Sequence, residues 1–75
     1  MTKRIVYKNN IFKFYDFQDD SCVLEINGTQ YGFICIEDFI EDLDKFTFKI
    51  LAKEIYNYIQ DNIYFYGEEM EGFLA

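Results

Sequence analysis

No histidine, tryptophan or proline occurs anywhere in the 75 residues, and there are only two cysteines and four glycines. Each scarcity removes a class of function. Without histidine, a serine or cysteine nucleophile lacks its ordinary general base, so acyl-transfer chemistry in its usual form is excluded. Structural zinc draws on Cys and His at short spacings, and Cys22 and Cys35 are two distant thiols. Scattered glycines make no phosphate-cradling loop. No apolar run approaches the ~18 residues of a membrane span. The start Met1-Thr2-Lys3-Arg4 leads into Ile5-Val6-Tyr7-Lys8-Asn9-Asn10, not into the apolar stretch of a secretory leader. The protein is therefore expected to be soluble and cytoplasmic, in the host cytoplasm if it is viral.

What is abundant is aromatic and apolar. Nine Phe and seven Tyr make the chain 21% aromatic, and 51% is hydrophobic, too much for a disordered segment even at a net charge of −7. The length fits a single domain, residues 1–75, with no room for a second lobe. Phe, Tyr, Ile, Asn and Lys are the bias of AT-rich coding, which points to a low-GC microbe or one of its viruses. Sixteen aromatics exceed what so small a core takes up, so some are expected at a surface that meets a partner or a second copy.

The pattern predicts an α+β fold: about four antiparallel strands in two hairpins, then a short acidic helix and a long C-terminal helix. Arg4–Lys8, a turn at Asn9-Asn10 and Ile11–Phe17 form the first hairpin, with Phe12 and Phe14 on one face and Ile11, Lys13, Tyr15 and Phe17 on the other. Asn27-Gly28 is a type I′ signal that pairs Ile26 with Thr29, since both residues tolerate positive φ. Extending that register sets Leu24 against Tyr31 and Cys22 against Phe33, and puts Cys22, Leu24, Ile26, Tyr31, Phe33 and Cys35 on one face. The two thiols are then diagonal neighbours about 7–8 Å apart, too far for a comfortable disulfide, and are expected free and buried.

Ile36, Phe39, Ile40 and Leu43 at i, i+3, i+4 and i+7 predict an acidic amphipathic helix of about two turns. Asp44 is the expected cap of the second helix, whose apolar stripe Phe48, Leu51, Ala52, Ile55, Ile59, Ile63 and Tyr66 runs to Gly67.

Charge is segregated along the chain. Residues 1–15 carry four basic and no acidic side chains, and residues 16–44 carry nine acidic and no basic ones. Asp16, Asp19 and Asp20 do not follow the calcium-loop spacing, because Gln18, Ser21 and Asn27 fall where ligand, glycine and glutamate belong. No metal, cofactor or catalytic residue is therefore expected, and the chain is expected not to be an enzyme. Direct nucleic-acid binding is disfavoured as well, since a polyanion is repelled by a chain of this charge.

The acidic block is the sharpest feature. Glu37 with Glu41 and Asp38 with Asp42 stand at i, i+4, about 6 Å of helical rise, and Asp16, Asp19, Asp20 and Asp44 extend the array. Such a face can imitate a phosphate strand and occupy the positive groove of a nucleic-acid-binding protein. The expected function is a non-enzymatic inhibitor, encoded by a virus or mobile element, of a basic nucleic-acid-processing defence protein. The profile is similar to small acidic anti-restriction and anti-CRISPR proteins in size and charge, without a shared motif. The alternative is a regulatory or structural subunit, antitoxin-like, immunity-like or an obligate homodimer, joined through Tyr56, Tyr58, Tyr64 and Phe65, with the acids serving only solubility.

Overall fold

The computed structural model describes residues 1–61 and, beyond them, the backbone of 64–65 and 68–69. Four strands, β1 (Thr2–Tyr7), β2 (Asn10–Gln18), β3 (Ser21–Ile26) and β4 (Thr29–Cys35), form an antiparallel sheet in the order β1-β2-β3-β4. Two 3₁₀ turns, Ile36–Asp38 and Leu43–Lys45, lead into helix α1 (Phe48–Asp61). The α+β architecture expected from the pattern is the one observed.

Each tight turn uses residues that accept the left-handed region. Lys8 and Asn9 (φ 48° and 67°) close β1 onto β2, shifting the expected turn back by one residue. Asn27 and Gly28 (φ 51° and 88°) close β3 onto β4, so Ile26 pairs with Thr29 and Glu25 with Gln30 as the register predicts. The register then slips. Leu24 pairs with Gly32, Val23 with Phe33, Cys22 with Ile34 and Ser21 with Cys35, because β4 carries one extra residue at Tyr31-Gly32. Gly32 has φ +89°, a conformation L side chains rarely adopt, and this makes the bulge possible there.

One extra residue reverses every later side chain. Phe33 and Cys35 leave the core face, and Ile34 takes their place against the core. Cys22 is buried and Cys35 only half-buried, and both thiols are free. A second irregularity, between Tyr15 and Gln18 with Asp16 at φ 53°, turns Phe17 inward although alternation puts it outside.

The core lies between the inner sheet face and α1. Phe12, Phe14, Cys22, Leu24 and Ile26 meet Ile36, Ile40, Leu51, Ala52, Ile55 and Ile59. Complete burial of residues such as Phe12 or Leu51 contributes about 1.5–3 kcal/mol each.

The predicted acidic helix is replaced by the two 3₁₀ turns. Like charges at i, i+4 destabilise an α-helix, and the Asp42 side chain bonds the backbone two residues on instead, its Oδ1 accepting from Asp44 N at 3.1 Å. Asp44 does not cap α1. Thr47 does, its Oγ1 accepting from Ile50 N at 3.1 Å and its carbonyl from Leu51 N at 3.0 Å. The described helix runs to Asp61, and the stripe positions Ile63 and Tyr66 lie outside the described residues. Tyr64–Phe65 (β5) pairs antiparallel with Glu68–Glu69 (β6), as suits a run of aromatic residues before Gly67.

Candidate functional site

Where the chain leaves β4, Ile36 N donates to the carbonyl of Asp20 at 2.8 Å, which ties the β2–β3 turn to the first 3₁₀ turn. Ile36 and Ile40 are buried and anchor the segment, so the acids between and after them face outward. The result is an open groove of about 410 Å3 whose lining includes Glu37, Asp38, Glu41, Asp42 and, from α1, Glu54. One ammonium, Lys45, stands with these five carboxylates, and Phe39, Ile40 and Ile50 supply apolar surface.

Behind the groove, Asp20, Cys35 and Glu37 converge, with one donor atom of each within 4.8 Å of the others. Cys35 Sγ donates to Asp20 Oδ2 at 3.5 Å and stands 3.9 Å from Glu37 Oε1. The two carboxyls stand close enough to perturb one another, one oxygen of each lying within 4.8 Å of the other. The Asp20 bond raises the Glu37 pKa above its usual value, and the Glu37 bond lowers that of Asp20. Desolvation, followed by the hydrogen bond to Asp20, raises the Cys35 thiol and makes it a poor nucleophile. A thiol and two carboxylates this close are donors that a cation can use, though acidic groups commonly cluster without one.

Of the acids singled out by sequence, Glu37, Asp38, Glu41 and Asp42 come together in the groove, and Asp20 joins them through Glu37. Asp16 sits on the β2 irregularity and Asp19 in the β2–β3 turn at φ 54°, both exposed and away from the groove lining. Asp44 is exposed in the second 3₁₀ turn. Glu54, which sequence reasoning passed over, completes the groove from the helix. Its signal was the i, i+4 relation to Ile50, which puts both on one helical face. Among the described residues the salt bridge is Lys13–Glu25 at 3.6 Å, and no groove carboxylate is ion-paired.

The aromatic set divides. Tyr56 is half-buried, edge-on to Tyr7 at 5.4 Å, with the Lys8 ammonium 5.3 Å from its ring. Tyr58 is exposed and makes an edge contact with Phe39 at 5.8 Å. The side chains of Tyr64 and Phe65 lie outside the described residues.

Among the described residues no helix is long and apolar enough to cross a membrane. No family model matches the chain, and no curated protein or solved structure matches it either.

Proposed function

We propose that the protein is a non-enzymatic interaction module that inhibits a basic, nucleic-acid-processing protein by occupying its positive groove. In this reading its gene belongs to a virus or mobile element and the target to host defence. The supporting observation is the five-carboxylate groove: Glu37, Asp38, Glu41, Asp42 and Glu54 face solvent beside the single cation Lys45. An acidic surface that serves solubility alone works with both signs interspersed. Here the acids are gathered and, among the described residues, not ion-paired. The helical 6 Å repeat is gone, so the imitation rests on carboxylate density around a concave surface rather than on a linear ladder.

The subunit alternative has weaker support. Tyr56 is committed to Tyr7 and Lys8, so Tyr58 is the exposed aromatic of that set among the described residues.

The test is capture of partners from lysate of a low-GC bacterium by the tagged protein and by a Glu37→Lys/Asp38→Lys/Glu41→Lys/Asp42→Lys variant. A basic nucleic-acid-binding protein held at ~0.05 M salt, released by ~0.3 M and missed by the variant, fits the proposal. Equal capture by both proteins refutes it.

A further inference from the structure

The sheet face turned away from α1 is built from rows that cross the strands. The pairings align Arg4, Lys13, Glu25 and Gln30 in one row and Thr2, Tyr15, Val23 and Phe33 in the next, with Val6 beside Ile11 in a third. A solvated face of an antiparallel sheet is normally polar. Here Val6 is 58% and Phe33 56% exposed, while Val23, paired with Phe33, is 3% exposed. Helix α1 packs on the opposite face.

The charged row has a direction. Its β1 and β2 members are cationic, its β3 member is anionic and its β4 member is neutral. A two-fold axis parallel to the strands, between β2 and β3, lays β1 over β4 and β2 over β3 of a second copy. Lys13 then meets the other copy's Glu25 twice, Arg4 lies over Gln30, and Tyr15 lies over Val23. A two-fold perpendicular to the strands would instead stack β2 on β2 and bring Lys13 against Lys13.

We propose that the protein self-associates face to face through this sheet surface, as a two-fold dimer with reciprocal Lys13–Glu25 contacts. The face spans roughly 20 Å on a side at ordinary strand spacing, small for a specific interface, so the dimer is a weak and concentration-dependent one. The acidic groove uses residues of the 3₁₀ turns and α1, so this inference stands apart from the proposed inhibition.

Sedimentation equilibrium over about 1–500 µM tests it. The average mass should climb from one chain toward two. Lys13→Glu and Glu25→Lys, each alone, place like charges across the axis twice and should weaken the dimer about tenfold or more. An equimolar mixture of those two variants restores both reciprocal pairs and should dimerise again, which a purely intrachain pair cannot produce. Phe33→Ser, at an exposed position, should keep the melting curve and weaken association about tenfold. A monomer throughout, a mixture no tighter than its components, or a dimer indifferent to Phe33→Ser would overturn the proposal.

Discussion

Asn27 Nδ2 donates to Asn10 Oδ1 at 2.9 Å, so the turn of the second hairpin is hydrogen-bonded into the start of β2. Asn10 is completely buried and donates to the Lys8 carbonyl at 2.9 Å, while Asn27 Oδ1 accepts from Ile11 N at 2.9 Å and Asn27 N donates to the Ile11 carbonyl at 2.9 Å. The two turn signals are thus a single polar clasp. Asn10→Leu strips that clasp of its centre and should cost about 1–3 kcal/mol, because buried polar groups lose their partner. Urea unfolding reads this directly, and a midpoint unchanged from wild type would show the clasp to be energetically idle.

Gly32→Ala should destabilise by about 1 kcal/mol although a Cβ there meets nothing within 4 Å. The cost is conformational, the left-handed backbone being unfavourable for a residue with a Cβ. Gly32→Asn, which tolerates that region, should recover part of the loss in the same melt.

The two thiols should react separately. Burial pushes the Cys22 thiol up to about 11, and Cys35 is raised as well but half-exposed. Near neutral pH a maleimide should label Cys35 slowly and Cys22 only after unfolding, with no intrachain disulfide under mild oxidant, because the bulge has put the thiols on opposite sheet faces. Mass spectrometry of the peptides checks both points.

The Asp20–Glu37 pair gives stability two opposed pH limbs. Asp20 titrates below its usual 3.8, so its contribution is present above that value and is lost as pH falls through the depressed pKa. Glu37 titrates above its usual 4.5, so its contribution is complete below that value and is lost as pH rises through the raised pKa. Glu37→Gln keeps a donor toward Asp20 without a titrating proton. The variant should therefore lose the upper limb, read as unfolding midpoints between about pH 3 and 7. Parallel profiles for variant and wild type would contradict a linked titration of the two carboxyls.

Much of the fold was legible because local chemistry and global packing agree at Asn27-Gly28, at Phe12 and Phe14, and along Leu51, Ile55 and Ile59. The failures have physical causes. Simple alternation carries no mark of an inserted residue, so the bulge at Gly32 exchanged Phe33 for Ile34 on the core face. The apolar spacing of Ile36, Phe39, Ile40 and Leu43 suits a helix, but repulsion among its acids and the Asp42 side chain favour short turns. Of the site, the four acids from Glu37 to Asp42 were readable as a block. Glu54 and the Asp20–Cys35–Glu37 cluster depend on contacts that only the folded chain creates.

The same bulge governs how the sheet ends. Among the described residues its outer strands are β1, which carries Lys3 and Arg4, and β4, whose ladder is broken at Tyr31-Gly32. A broken, twisted edge offers an incoming strand no continuous row of donors and acceptors, and a cationic one repels its own kind. Both edges are therefore poor templates for strand-by-strand growth into a cross-β fibril, which matters in a chain with this many aromatics.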